Sequence, residues 1–414
     1  MSTQTDSKKS SQLVHRGSTS GRSLLLVTTL LVAMGTVALA SASEGQSVAN
    51  GGSPWSIMLH DIAYLCLGVI ALLVTSKVRL EQLIRVTPWL MGIGIASLLA
   101  VKAVGVSANG GQRWLNLHFI FLQPSEIFKL LTVLYLAWMV LHHHRSLNNW
   151  TQLVKWSGPV LVGATLVVIE PDIGTSSVIV AIGLAILAVA GLSRRLLART
   201  LLAGIVLFGG YMLARPYSAR RFFSFLHPSH DVLGSGYQLL QSKIGLGAGG
   251  LTGLGLGHSR EKWGFLPNPH TDFIFSIVGE ELGLIGTLLV LGLFVWFLLA
   301  AMRIAMQCTN QTYRLVAVGI TTWIILEALI NIASVVGGWA VTGIPLPFFS
   351  YGGTALITEL AAVGLLYNIS NDRTRSSDLT IDHFEPSSRT RSRGDVPARP
   401  SRDVIERQNS RQWR

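Results

Sequence analysis

Charge is what this sequence has least of. Only 13% of its 414 residues are Asp, Glu, Lys or Arg, about half the share found in soluble globular chains, which excludes one or two water-soluble domains. Cysteine is scarce as well. Cys66 and Cys308 form no metal-ligating spacing and no disulfide framework, and both fall in or beside apolar runs, where small packing residues are expected. No zinc motif, P-loop or serine-triad signature occurs. Gly245, Gly247 and Gly250 match G-x-G-x-x-G, but no strand precedes them, and a dinucleotide site needs a strand–turn–helix setting. Short alternating segments of the kind that build membrane barrels are missing too.

What is abundant is apolar sequence. Half of the residues are apolar and mean hydropathy is +0.48. The apolar residues gather in runs separated by short polar connectors. About 20 such residues cross the hydrocarbon core as a helix, and only helices or closed barrels satisfy their backbone there. The sequence therefore predicts an all-α polytopic membrane helix bundle of about ten transmembrane helices. The runs are 24–43, 57–75, 86–106, 126–141, 156–169, 175–192, 200–215, 273–302, 315–336 and 352–369. The fourth, fifth and seventh are short, which predicts spans that are partly re-entrant or thinned by polar neighbours.

Basic residues set the orientation. Lys77, Arg79 and Arg85 follow the second run, His142 to Arg145 and Lys155 the fourth, Arg194, Arg195 and Arg199 the sixth, and Arg303 and Arg314 the eighth. All fall on one side when both termini are cytoplasmic. Much of the net charge of +12 lies in the ends, residues 1–23 and 371–414, which read as disordered basic cytoplasmic tails around a membrane domain at 24–370. A bilayer-tethered basic tail reports cytoplasmic location and anionic lipid, so no nucleic-acid partner is expected. The basic residues before the first run and its Ala38-Leu39-Ala40-Ser41 also resemble a cleavable signal sequence, but the length of the run favours a retained helix.

One extracytoplasmic segment, 216–272, is far longer than the other connectors, as functional loops often are. Residues 235–246 within it predict an amphipathic helix on the membrane surface. The loop carries Arg220, Arg221, Lys243, Arg260 and Lys262. Cations in excess on the outer face run against the positive-inside bias and point to an anionic ligand.

Ionisable groups at the membrane edge or inside it are costly, so each is a functional candidate. Glu126 and Lys129 stand three apart, on one helical face and able to pair. With Arg113, Trp114 and Gln123-Pro124-Ser125 they suggest a charged outer pocket for phosphate, or an ion pair that holds helices together. Pro267 to Asp272 leads straight into an apolar helix. Asp272 falls at its N-terminus, as a cap or as a general base whose pKa partial desolvation would raise. His270 lies beside it. Glu280 and Glu281 follow two turns later, one expected to face the site and the other a neighbouring helix. Glu170, Asp172, Glu327, Asn331 and Glu359 add polar positions, and Gly343 to Gly353 predicts a tight re-entrant-looking loop. His142, His143 and His144 are expected at the membrane interface rather than on a metal.

These residues closely resemble the FtsW/RodA/SpoVE family. The resemblance runs through Gly111-Gln112-Arg113-Trp114, Gln123-Pro124-Ser125-Glu126 with Lys129, Glu170-Pro171-Asp172-Ile173-Gly174-Thr175, Lys243, the string 266–283, and 345–353. It covers roughly 24–369 in order. It implies a ten-helix fold with both ends cytoplasmic, and it implies polymerisation of lipid II into glycan strands at the outer face of the inner membrane. Asp272 stands where the family has its essential carboxylate. Arg113, Trp114, Glu126, Lys129, Lys243, Arg220, His270, Glu280 and Glu281 are the expected substrate-binding positions. The implied partners are lipid II, a class B penicillin-binding protein and other division-complex membrane proteins. No motif demands a cofactor, although a divalent cation would be able to assist. Gly255 to Trp263 resembles the division-specific FtsW branch, implying a septal role. A lipid II flippase and a non-catalytic scaffold are the alternatives. The outer-edge position of the charges and the lack of paired interrupted helices weigh against transport.

Overall fold

A computed structural model describes the chain apart from residues 1–2, 50, 52, 54, 109–110, 117–120, 145–146, 215–218, 220–222, 224, 227–233, 268 and 382–414. Its helices are α1 Thr3–Ala49, α2 Ser56–Thr75, α3 Leu80–Val104, α4 Pro124–His143, α5 Trp150–Ile169, α6 Ile173–Val189 and α7 Arg194–Ala214, then α8 Ser235–Gly249, α9 Ile274–Gln307, α10 Gln311–Val336 and α11 Thr354–Ile381. Each of the ten predicted runs falls on one helix, and α8 is the predicted amphipathic one. Met1–Arg375 form one compact unit; Ser376–Arg414 form another, described only to Ile381 at the end of α11.

Among the described residues, eight helices are long and apolar enough to cross a membrane. The short fourth, fifth and seventh runs turn out to be full helices, α4, α5 and α7, of 20, 20 and 21 residues. Polar residues at their ends, such as Glu126, Lys155 and Arg194, had shortened the apolar signal without breaking the helix. The shortest span is instead α6, with 17 residues. α1 begins at Thr3, inside the segment expected as a tail, and buries Leu24, Val27, Leu31, Leu39 and Ala42 in the bundle.

α4 and α10 are the most enclosed helices, whereas α2 and α7 are peripheral. A glycine on one helix repeatedly admits a large side chain from another: Gly94 and Gly163 both face Phe128 of α4. Such close approach replaces the hydrophobic driving force that lipid removes. The three histidines at the end of α4 serve packing. His143 stacks on Trp156 with centroids 3.5 Å apart, and His144 Nε2 lies 3.2 Å from the Ala190 carbonyl.

Two features have no counterpart in the sequence reading. A three-stranded antiparallel sheet, β1 Val106–Ala108, β2 Gly111–Asn116 and β3 Phe121–Leu122, lies at the end of the bundle that carries Asp272. It is tied down where Thr354 Oγ1 donates to the Phe121 carbonyl at 3.0 Å. Second, α9 is interrupted at Gly283, whose φ of +65° is a left-handed conformation suited to glycine. The backbone groups on either side of the break pair with the preceding loop: Leu254 N donates to Glu280 O at 2.9 Å and Leu284 N to Gly250 O at 2.9 Å.

Candidate active site

One end of the bundle, the end expected to face outward, gathers the three-stranded sheet, the α5–α6 turn, the loop before α9 and the loop 337–353. Asp272 ends the loop before α9, beside Gly343 of the loop 337–353. Its carboxylate is half-buried, and the cap position of α9 is the next residue, Phe273. Asn331 of α10 holds the approach from two sides, its Nδ2 donating to the carbonyls of Asp272 at 2.8 Å and Ile344 at 2.9 Å. A Cβ on Gly343 would lie 3.7 Å from Asp272 Oδ2, so bare backbone flanks the carboxylate. The φ of +77° at Gly343 disfavours any side chain there.

His270 is held by the same loop: Tyr351 N donates to its carbonyl at 2.9 Å, and the two rings are 5.9 Å apart. Burial lowers the imidazole to about 4, so it is neutral at physiological pH. Its Nδ1 has no partner among the described residues. Burial, with Tyr64 and Asp61 of α2 adding to it, raises the Tyr351 phenol to about 12. Asp61 escaped the sequence reading, although it is the one acid inside the second apolar run and was findable on that ground.

Arg113 on β2 is turned toward protein. Its Nε donates to the Glu170 carbonyl at 3.2 Å, one terminal nitrogen donates to the Pro171 carbonyl at 2.6 Å, and the other lies 3.7 Å from Asp172 Oδ2. Asp172 in turn caps α6, accepting from Thr175 N at 3.1 Å. Trp114 is half-buried on the same strand, opposite Val106.

Lys129 departs furthest from the expected outer pocket. Its ammonium is fully buried, 2.8 Å from Glu126 Oε2 and bonded to Glu327. Trp323 Nε1 donates to the other oxygen of Glu327 at 2.6 Å. The predicted i,i+3 pair forms, but inside the bundle, where a third helix completes it. Lys129 therefore presents no face to a phosphate in this conformation. Glu359 is buried too, accepting from Phe348 N at 2.9 Å and so anchoring the 345–353 turn.

Glu280 and Glu281 were expected to divide between the site and a helix neighbour. Instead both grip the loop before the site. Glu280 accepts from Ser259 Oγ, from Arg260 N at 2.9 Å and from Glu261 N at 3.4 Å. Glu281 accepts from Ser41 Oγ of α1 and from Ser259 N at 3.3 Å. Lys262, counted among the outer cations, is also buried, donating to Glu44 of α1 at 2.7 Å and to the Gly257 carbonyl at 2.8 Å. The cations left at the surface include Arg260 and Lys243, whose side chain runs along Gly337 at the end of α10. Arg220 lies outside the described residues.

The chain is similar to known proteins along most of its length. The FTSW_RODA_SPOVE family model, described as "Cell cycle protein", matches residues 22–375. The "Probable peptidoglycan glycosyltransferase FtsW" of Thioalkalivibrio sulfidiphilus is 37% identical over 368 residues, 86% of this chain and 91% of that protein. "Stage V sporulation protein E" of Bacillus subtilis is 36% identical over 350 residues, 84% and 96% of the two chains. Among solved structures, a chain from work described as "Structural coordination of polymerization and crosslinking by a peptidoglycan synthase complex" aligns with TM-score 0.71 and 29% identity, covering 84% of this chain and 97% of that one. The rod shape determining protein RodA of Thermus thermophilus aligns with TM-score 0.62 and 25% identity, covering 84% and 96%.

Proposed function

The chain belongs to the FtsW/RodA/SpoVE family, and on that premise we propose that it is a peptidoglycan glycosyltransferase polymerising lipid II at the outer face of the cytoplasmic membrane. The reaction is an inverting glycosyl transfer. A growing strand on one polyprenyl pyrophosphate donates its anomeric carbon to the 4-hydroxyl of an incoming lipid II sugar. Asp272 takes the hydroxyl proton as general base, the new glycosidic bond forms as the bond from the anomeric carbon to the phosphate oxygen breaks, and polyprenyl pyrophosphate leaves. The observation that carries the proposal is the setting of Asp272: a half-buried carboxylate flanked by bare backbone at Gly343, with its main chain fixed by Asn331.

The other groups divide by what they touch. Lys243 and Arg260, exposed on the outer segment, are positioned to attract the pyrophosphate. Arg113 orders the α5–α6 turn, and Glu280 with Glu281 holds the loop that leads to Asp272; these are positioning residues. Among the described residues no three His, Cys, Asp or Glu side chains gather closely enough to hold a metal ion. A class B penicillin-binding protein and other division-complex membrane proteins are the proposed partners. The division septum is the proposed location, supported by the FtsW names of the relatives.

The interruption of α9 favours a second reading, since broken helices build transport sites. Against it, the break is single among the described residues and its freed backbone groups are taken up by the loop 250–255. The two readings separate in detergent, where flipping has no meaning. Wild type with its transpeptidase partner should convert purified lipid II to glycan strands. Asp272→Asn, nearly isosteric, should retain partner binding and lose on the order of a hundredfold to ten-thousandfold in rate. Full polymerisation by Asp272→Asn would remove the general base, and inactivity of wild type would return the transporter and scaffold readings.

A further inference from the structure

α7 is the least enclosed long helix. It packs against α6, and of its residues only Leu196 and Met212 are buried. A shallow, open depression of about 480 Å³ lies between it and the start of α5, lined by Trp150, Arg199, Leu202, Ala203 and Val206. The four α7 residues are spaced i, i+3, i+4 and i+7, so they form one stripe along the helix. Arg199 stands at the end of the stripe nearest the α6–α7 connector, with Arg194 and Arg195 close by in sequence. All three arginines are exposed, and none joins an ion pair among the described residues. Residues 142–156 and 190–206 contain no Asp or Glu.

The slot is therefore apolar along its length, with an uncompensated guanidinium at one end and Trp150, 39% exposed, at the same level. Tryptophan at that level marks a polar–apolar boundary, and the positive-inside orientation puts this end at the cytoplasmic face. We infer that the slot is a binding site for an anionic phospholipid of the cytoplasmic leaflet. Acyl chain fills the Leu202–Ala203–Val206 stripe, and Arg199 pairs with the phosphodiester while Trp150 flanks the headgroup. The lipid supplies the wall that protein does not provide for α7.

The test uses the full-length protein in phosphatidylcholine nanodiscs holding a minor fraction of either dibrominated phosphatidylglycerol or dibrominated phosphatidylcholine. Tryptophan quenching in wild type minus that in Trp150→Phe isolates the residue at the slot. The Trp150 component should be quenched several-fold more by the glycerol headgroup than by the choline one. Arg199→Gln should cut that preference about fivefold, the effect of one cation at a membrane surface. Ala203→Phe, which fills the slot and keeps the charge, should reduce quenching by both lipids. Arg79→Gln, an exposed cation on the same side between α2 and α3, should change nothing. Equal quenching by the two lipids, or an equal loss in Arg79→Gln, would mean ordinary annular lipid and overturn the site.

Discussion

Replacing Glu170 by glutamine should stabilise the protein at high pH and leave it unchanged at low pH. Glu170 follows α5, is 4% exposed, and neither carboxylate oxygen has a hydrogen-bond partner among the described residues. Arg113 passes close by but donates to the Glu170 main chain, at 3.2 Å, rather than to its side chain. Burial raises the carboxyl from 4.5 to about 8, the Asp172 charge adds to the rise, and Arg113 and Lys102 oppose it. The folded protein thus keeps a proton that the unfolded chain releases. Stability is complete below about pH 4.5 and declines as pH climbs towards about 8. At about 1.4 kcal/mol per pH unit, the loss is on the order of 3 kcal/mol at pH 7 and about 5 kcal/mol once the group is fully ionised. Glutamine never ionises and avoids that loss. Melting of the detergent-purified protein, followed by tryptophan fluorescence from about pH 5 to about pH 9, should show wild type and Glu170→Gln together at the acid end and wild type melting earlier at the alkaline end. A gap that stays constant across that range would refute the buried-acid argument, because only a titrating group makes the difference depend on pH.

Lys129→Met leaves Glu126 and Glu327 buried without their cation, which costs about 3–5 kcal/mol; the yield of monodisperse protein should collapse, and adding Glu327→Gln should restore part of it. Glu280→Ala removes the acceptor for Ser259, Arg260 and Glu261, so trypsin should cut at Arg260 at least about tenfold faster, given charge-assisted bonds of roughly 1.5–3 kcal/mol each. Glycan synthesis by Glu280→Ala should fall with it, and unchanged cleavage would show that the clasp does not hold the loop. For orientation, cysteines at His258 and Ser193, both exposed, in a background lacking Cys66 and Cys308 should label from outside and inside intact cells respectively; an impermeant reagent that reached position 193 would reverse the topology.

The helices were legible in the sequence because hydrocarbon imposes a condition that each segment meets alone. A run such as 57–75 must satisfy its own backbone whatever surrounds it, so composition averaged along the chain locates α2 without knowledge of its neighbours. The polar residues at the outer end were legible for a related reason: a charge at the membrane edge stands out against apolar sequence wherever it points. What each charge pairs with was not legible. Glu126 and Lys129 could be matched because a helix brings i and i+3 together, but Glu327, 198 residues further on, enters only when α10 packs against α4. That third partner moves Lys129 from a presumed phosphate ligand to the interior. Glu280 and Glu281 changed meaning in the same way, since Ser259 and Ser41 carry no signal of their own. The break at Gly283 was equally silent, because a glycine's sequence neighbours do not reveal whether another backbone will take up the hydrogen bonds it frees. Sequence determined which segments enter the membrane and which residue types wait at its outer edge. Only tertiary structure decided which of those charges are consumed in holding the bundle, Lys129, Glu280 and Lys262 among them, because pairing is settled by distances between residues far apart in the chain.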